Sequence, residues 1–313
     1  MSIIPRLEPA ADLLGPVALL DTDRPADLGG KPRGAFARGW EVFRENRLAL
    51  VGLGILAFML LFCFVGPLIY HTNQVSVSLD NTLCAPSSQH LLGCNDLGYD
   101  ELGRLMSGGQ NSIEVGLAAA VAAVLFGTLY GAFSGFIGGF ADTCMMRFVD
   151  AGLSVPPIMV LIILAVIFHP NPVTMIFIIA VFYWLGVARL VRGETLTLRT
   201  REYVQAVKVV GGGDSRAVIR HIIPNAIGTI IVQATFAVAD SILILATLGF
   251  LGFGIQPPST DWGSMLSSGL TYVNDGYWWL IYPPGIMIIL TVVAFNFIGD
   301  ALRDAFETRL QRR

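Results

Sequence analysis

The residue types that could carry out covalent chemistry are present in this sequence without the spacing that such chemistry needs. The four histidines stand far apart, and neither an HExxH zinc motif nor a GxSxG nucleophile motif occurs. The glycines at 211–213, followed by Asp214, lack the lysine of a phosphate-binding GxxxxGK[ST] loop and follow no strand pattern. A helix-breaking turn is the better interpretation of these glycines. We expect no catalytic residue, no metal site and no bound cofactor in this chain.

The elements that must position any site are long apolar helices. The chain of 313 residues is 54% hydrophobic and 14% charged, whereas a soluble domain has roughly 25% charged residues. A helix needs roughly 20 apolar residues to cross about 30 Å of hydrocarbon. The sequence therefore predicts an all-α membrane protein with six transmembrane helices. The apolar runs are residues 48–69, 115–137, 151–168, 170–188, 222–255 and 276–299, and the fifth helix is expected near 226–250.

Positive charge is distributed unevenly among the segments that connect these runs. Of the 20 lysines and arginines, only Arg104 lies in the loops after the first, third or fifth run. The positive-inside rule therefore places both termini and the loop 189–225 in the cytoplasm. The loop 70–112 is then predicted to lie outside the membrane.

The segments at the two ends of the chain differ from the predicted six-span domain of residues 48–300. Residues 1–35 are rich in Pro, Gly, Asp and Leu without clear periodicity, which predicts a mobile cytoplasmic arm. In residues 36–47, Trp40, Phe43 and several arginines indicate a short interfacial helix; an irregular lead-in anchored by Trp40 is the alternative. Residues 301–313 are predicted to form a cytoplasmic tail.

Small residues and prolines give two of the spans features of their own. In the second span, glycines recur every four residues and so predict a stripe for close packing against another helix. A chance spacing in a chain with 34 glycines is the alternative. In the third span, Pro156 and Pro157 predict a kink or a local unwinding. The stripe consists of Gly127, Gly131, Gly135 and Gly139.

Asp240 is the one carboxylate well inside the fifth apolar run. An ionisable group at membrane depth is costly unless it faces water or a partner group. We therefore expect Asp240 to face a water-filled path or its outer mouth. The alternative is a hydrogen bond between helices that has no role in transport.

Cys84 and Cys94 both lie in the loop that is predicted to be outside the membrane. An oxidising compartment permits disulfides, so we predict a bridge between them. Two free thiols are the alternative, and a metal site that also uses His90 is a weaker one. Cys63 and Cys144 lie in or beside spans and should stay reduced.

The polar stretch REYVQAVKVVGGGDSRAVIRHIIPN, residues 201–225, carries a specific resemblance. It is similar to the cytoplasmic signature of binding-protein-dependent ABC importer permeases, described as Glu-Ala-Ala, three residues, Gly, nine residues, Ile, one residue, Leu-Pro. Ala206, Gly211 and Pro224 match it strictly, whereas glutamine stands at 205, valine at 207, histidine at 221 and isoleucine at 223.

Other segments resemble the dipeptide/oligopeptide/nickel branch of that family, and specifically its C-type permease subunit. The resemblance covers nearly the whole chain from about residue 36 onward. The segments that carry it are NRLALVGLGIL, HLLGCNDLGYDELGRLMSGGQNSIEVG, MRFVDAGLSVP, GVARLVRGE, LGFLGFGIQPPSTDWGSML and FNFIGDALRDAFETRL.

This resemblance implies a type I ABC importer permease fold with cytoplasmic coupling helices. It also implies a bacterial or archaeal cytoplasmic (inner) membrane location, a homologous second permease, two ATPase subunits that bind ATP and Mg²⁺, and an extracytoplasmic substrate-binding protein. No nucleic acid partner is implied. The implied activity is import of di- or oligopeptides by alternating access, with nickel or another small solute as the alternative cargo.

The loop of residues 194–224 would supply the coupling helices. We expect a charged helix through Val210, a break at 211–213, and a second helix from about Asp214 that is capped by Asp214 or Ser215. Pro224 would mark the start of span five. The residues expected to contact the ATPase are Glu202, Tyr203, Gln205, Ala206, Val207, Gly211 and Pro224.

Two other classes of protein fit the sequence less well. A membrane-embedded enzyme would need a nucleophile, a metal cluster or an acid/base pair, and Asp240 alone provides none of these. A passive channel would need a selective constriction and has no use for a coupling loop. The sequence thus favours a transport subunit that performs no covalent chemistry.

Overall fold

The structure is a computed structural model that describes residues 43–72, 77–211 and 213–311, and within them the fold is built from helices. A helical turn at 43–45 precedes the first long helix. The helices are α1 (Arg47–Ile69), α2 (Glu101–Ile137), α3 (Gly139–Leu153), α4 (Pro157–Phe168), α5 (Pro172–Leu198), α6 (Glu202–Val209), α7 (Asp214–Phe250), α8 (Trp262–Leu270) and α9 (Tyr282–Gln311).

Six membrane spans are accounted for, and one of them is broken. Helices α1, α2, α5, α7 and α9 are each long and apolar enough to cross a membrane. Helices α3 and α4 pass the same test together but meet at an angle of 82°. The prolines at 156 and 157 cause this break, as predicted, because Pro157 occupies the first turn of α4, where no backbone donor is needed. The all-α six-span fold is confirmed.

Helix α2 begins earlier than the sequence predicted. It starts at Glu101 and not near residue 115, so residues 101–112 of the predicted outer segment are helical. The position of residues 70–112 outside the membrane stays a prediction. Asp100 caps the helix by accepting a hydrogen bond from the amide of Gly103 at 2.8 Å. The first turns of α2 are polar and glycine-rich. A prediction that relies on runs of apolar residues therefore does not assign them to the helix. With 37 residues, α2 is about 55 Å long and reaches beyond the hydrocarbon.

Helix α2 lies at the centre of the bundle and packs closely on α5. A Cβ atom on Gly127 would lie 2.7 Å from the carbonyl oxygen of Trp184, and one on Gly135 would lie 3.0 Å from that of Arg192. Gly131 similarly faces the backbone of Ala188. Three of the four predicted glycines therefore form the packing stripe, which runs from Gly127 to Gly135.

Gly139 does not belong to this stripe. Helix α2 ends at Ile137, and Gly138 and Gly139 both have positive φ angles, 69° and 61°. No heavy atom lies within 4 Å of a Cβ built on Gly139. The third spacing in the sequence therefore ends at the first residue of α3, beyond the turn at Gly138, where glycine serves backbone conformation and not packing.

The two ends of the chain differ from the predicted division. Residues 1–35 and most of the predicted interfacial helix at 36–47 lie outside the described residues. At the other end, α9 runs without a break from Tyr282 to Gln311, so residues 301–311 continue the last span and do not form a separate tail. The sixth helix also starts six residues later than its apolar run, because the short helical turns Val273–Asp275 and Trp278–Leu280 precede it.

Candidate functional site

Helix α6 is a short helix held between two long spans, α5 and α7. It follows α5 after a turn at residues 199–201. The side chain of Val204 on α6 is fully buried and anchors the helix to the rest of the protein. Gln205 donates a hydrogen bond from Nε2 to the carbonyl oxygen of Arg199 at 2.9 Å. Glutamine at this position thus holds the helix against the preceding turn through a neutral contact.

The solvent-exposed face of α6 and of the residue after it carries apolar groups. The side chains of Val209 and Val210 are each 87% exposed, and that of Tyr203 is 40% exposed. Glu202 and Ala206 are also exposed, and Val207 is half-buried. A contiguous apolar edge on an exposed helix is typical of a protein contact surface.

Gly211 ends this helix in a conformation that other residues adopt rarely. Its φ angle is 81°, and no heavy atom lies within 4 Å of a Cβ built on it. Glycine is needed here for the backbone turn and for an open surface. The other side of the turn is the start of α7.

A cavity of about 450 Å³ lies between α6 and the first turns of α7. Its walls combine apolar groups from α6 with positive charge from α7. The lining residues are Ala206, Val207, Val210, Gly211, Arg216, Arg220 and His221.

The second half of the predicted coupling loop is part of span five. The second predicted helix starts at Asp214, as predicted, and it continues as α7 through Pro224 to Phe250 without a break. The loop bounds of 189–225 and the entry of span five at Pro224 stay predictions. A π-helical turn, Val218–Ile222, precedes the proline and adjusts the helix where the backbone donor is missing. Gly213 is the N-cap, without a side-chain hydrogen bond, so the predicted cap by Asp214 or Ser215 is wrong.

The exposed face of α7 is flanked by α5 and α9, and we call this surface the groove on α7. Phe236 on this face packs against Gly299 of α9, and one turn later Asp240 accepts a hydrogen bond from the hydroxyl of Tyr183 on α5. Helices α5 and α9 both pack on α7, and within the described parts of the chain they form no comparable interface with each other. Asp240, Leu243 and Thr247 are exposed on the floor of this groove.

The outer loop is closed by a disulfide between Cys84 and Cys94, with a Cα–Cα distance of 4.8 Å. The predicted pairing is therefore present. His90 approaches the same two sulfurs, but a disulfide leaves no thiolate to bind a metal. The His90 Nδ1 instead lies 2.9 Å from Oδ2 of the buried Asp100, which also accepts a hydrogen bond from Tyr70. Burial and this carboxylate raise the pKa of the Tyr70 hydroxyl above its ordinary value.

Two families of known proteins match this chain, one over its N-terminal part and one over most of the remainder. Residues 109–312 match the family described as "Binding-protein-dependent transport system inner membrane component". The chain belongs to this family of transport permeases. Residues 35–86 match a second family, the N-terminal TM domain of oligopeptide transport permease C. The permease is thus a non-catalytic transport subunit of an ABC importer.

Relatives of the permease match along most of their length. The dipeptide transport system permease protein DppC of Bacillus subtilis (strain 168) is 36% identical over 293 residues, which cover 93% of this chain and 92% of the relative. The oligopeptide transport system permease protein OppC of the same organism is 38% identical, covering 86% and 88%. OppC of Escherichia coli (strain K12) is 41% identical, covering 85% and 89%.

Family membership places the permease in a bacterial inner membrane as a multi-pass protein. It also implies, in general terms, an ATPase partner and a substrate-binding protein. Six of the seven predicted coupling residues lie either in α6 or in the turn that directly follows it. Pro224 lies apart from them, 15 residues beyond Val209 and inside α7.

Sequence reasoning missed the residues that connect α6 to the rest of the permease. Arg192 binds both carboxylate oxygens of Asp142, at 2.6 Å and 2.7 Å, and Ser134 also donates to Asp142 at 2.6 Å. Arg199 donates to the carbonyl oxygen of Gly135 at 2.8 Å. The available signal was the presence of opposite charges beside neighbouring apolar runs.

Tyr183 was missed as well. A tyrosine inside an apolar span has a hydroxyl that needs a partner, and Asp240 was the one carboxylate in span five. Matching these two polar groups could have predicted the contact between α5 and α7.

Proposed function

We propose that this permease imports di- or oligopeptides across the cytoplasmic membrane by alternating access. The observation that carries the proposal is α6, a rigidly held cytoplasmic helix with an exposed apolar edge, in a chain similar throughout to dipeptide and oligopeptide permeases. The working complex contains this permease, a homologous second permease, two ATPase subunits and an extracytoplasmic binding protein. ATP and Mg²⁺ bind to the ATPase subunits, and this chain binds no cofactor of its own.

The coupling surface is formed by Glu202, Tyr203, Gln205, Ala206, Val207 and Gly211. Tyr203, with the neighbouring Val209 and Val210, would fill an apolar cleft on the ATPase. The positive cavity lined by Arg216 and Arg220 would accept acidic side chains beside that cleft. Pro224 has a structural role in α7 in this scheme.

Both termini lie in the cytoplasm in this proposal. The disulfide loop adjoins the start of α2, whereas Arg199 of the turn before α6 contacts Gly135 near its end, so about 50 Å of helix separates the two. Disulfides form in oxidising compartments, and the positive charge is concentrated at the α6 end. Both features support an external disulfide loop and a cytoplasmic α6.

The groove on α7 forms part of the translocation path. Closure of the ATPase dimer would move α6, and α6 is tied to the spans through Arg199 and through the contact of Arg192 with Asp142. A movement of α6 can therefore change the positions of α2, α3 and α5 relative to α7.

The test is reconstitution of the whole complex in proteoliposomes with ATP inside and peptide-loaded binding protein outside. We expect ATP-dependent accumulation of a labelled peptide, and native mass spectrometry should give two different permeases with two ATPase subunits. Accumulation of a nickel chelate without any peptide would overturn the peptide assignment. A self-sufficient homo-oligomer that conducts without ATP would overturn the importer assignment.

A further inference from the structure

The groove on α7 contains a negative charge that forms no ion pair with the residues that the structure describes. The ion pairs among the described residues join His90 to Asp100, Arg189 to Asp150, and Arg192 to Asp142, and none includes Asp240. The hydroxyl of Tyr183 is the partner found for Asp240, and it is a neutral donor.

Asp240 lies deep in the membrane. It stands ten residues before the outer end of α7 at Phe250, which places it about 15 Å below that end, or about half the thickness of the hydrocarbon. A carboxylate at this depth requires water or a cation. Because Asp240 is exposed on the groove floor, a transient cation can reach it from the path.

We propose that Asp240 binds the positively charged amino terminus of the peptide during its passage, and that Tyr183 positions the carboxylate for this contact. The inference rests on the proposed function, since every unmodified peptide carries an α-ammonium group. Tyr183 donates to Oδ2, and Oδ1 would accept the hydrogen bond from the ammonium group. The other polar groups that α7 presents on this face, Thr229, Gln233 and Thr247, are uncharged. Thr229 donates to the carboxylate of Glu194 on α5 at 3.4 Å, so that carboxylate already has a donor three turns away from Asp240. Asp240 is therefore the charge that α7 itself presents to the groove.

This arrangement gives the peptide a direction. The ammonium group is attracted to Asp240 and the terminal carboxylate is repelled, because opposite and like charges at the same depth differ strongly in energy in a medium of low dielectric constant. A peptide whose amino group is acetylated loses the attraction and keeps the repulsion. The permease should therefore move free-amino peptides faster, independently of any selection by the binding protein.

The first test measures water access and charge in the groove without any peptide. Leu243 is 48% exposed and lies one turn beyond Asp240. In a Cys144→Ser background, Leu243→Cys in the complete transporter is treated with a cationic and with an anionic methanethiosulfonate. Relative to a free thiol, we expect the cationic reagent to be favoured by about tenfold or more.

Adding Asp240→Asn should remove this preference. Glu114→Gln is the matched control, because Glu114 is an exposed carboxylate in α2, whose side chain points away from the Gly116 face that contacts α7. It should leave the preference unchanged. If Leu243→Cys is unreactive to both reagents, or if its preference survives Asp240→Asn, the inference is wrong.

The second test measures import at saturating, loaded binding protein for a lysine-free peptide and for its N-acetyl form. Asp240→Asn should slow the free-amino peptide about tenfold. The same change should leave the acetylated peptide at least as fast as in the wild type, because it removes the repulsion of the terminal carboxylate. Asp240→Glu should restore the rate of the free-amino peptide, and Tyr183→Phe should give an intermediate loss. If Asp240→Asn slows both peptides equally, or releases the second permease, then Asp240 contacts a permanent protein partner and not the peptide. Failure of the wild type to import either peptide would instead contradict the proposed function.

Discussion

Arg192 holds Asp142 through two parallel hydrogen bonds, Nε to Oδ1 at 2.6 Å and Nη2 to Oδ2 at 2.7 Å. The pair joins the C-terminal part of α5 to the first turn of α3, so it connects the helix that leads into α6 with the broken span. The Asp142 side chain is 9% exposed and that of Arg192 31% exposed, so solvent screens the contact only partly.

Replacing Arg192 with lysine should weaken this connection although the charge is kept. A lysine cannot form the planar two-bond contact, and losing a hydrogen bond to a charged group costs about 1–3 kcal/mol. We expect a lower thermal unfolding midpoint for the purified complex and weaker substrate stimulation of ATP hydrolysis. The exchange Asp142→Arg with Arg192→Asp should recover part of both. Unchanged stability and stimulation in Arg192→Lys would show that the pair is dispensable.

Replacing Gly131 with alanine should separate α2 from α5. The new Cβ would overlap the carbonyl oxygen of Ala188, a backbone atom that cannot turn aside, and overpacking of this kind costs about 1–3 kcal/mol. Gly54→Ala in α1 is the control, because no heavy atom lies within 4 Å of its Cβ. That change should be neutral or stabilise by about 0.5–1 kcal/mol, since alanine favours helix. The measurement is the thermal unfolding midpoint of each variant. Equal midpoints for Gly131→Ala and Gly54→Ala would refute the packing role of the stripe.

Changing Gly211 to leucine should uncouple the permease from its ATPases. Leucine is strained at a φ angle of 81° and would place bulk on the open edge of α6. We expect insertion and binding of the second permease to persist, with loss of ATPase retention or of stimulated hydrolysis. Gly211→Asn is the control, since asparagine tolerates positive φ better, and it should lose less.

Ala206→Arg tests the same surface without changing the backbone turn. Ala206 is exposed on α6, and a long charged side chain there should prevent close approach of the ATPase. Retention of both ATPases and of full transport in Ala206→Arg and Gly211→Leu together would mean that α6 is not the coupling surface.

The two outer cysteines should resist alkylation until the protein is reduced. Mass spectrometry of unreduced, alkylated permease should find Cys84 and Cys94 joined, with the exposed Cys144 modified. Replacing both with serine should destabilise the outer loop by about 2–4 kcal/mol, because the crosslink restricts the unfolded chain. Alkylation of both outer cysteines without a reductant would contradict the bridge.

The sequence by itself determined the class of the protein, the number of spans and the short helix α6. These features depend on local composition: apolar run length sets the spans, the distribution of arginine and lysine predicts the orientation, and prolines at 156 and 157 break the third span. The disulfide was also predictable, since only Cys84 and Cys94 share one outer loop.

The tertiary structure alone decided which residues meet. It assigned the polar turns after Asp100 and the segment from Asp214 to helices, because packing and capping there outweigh low hydropathy. It excluded Gly139 from the stripe because the backbone turns at Gly138. It paired Asp240 with Tyr183, a contact that depends on the rotation of two helices about their axes, which hydropathy along one chain does not contain.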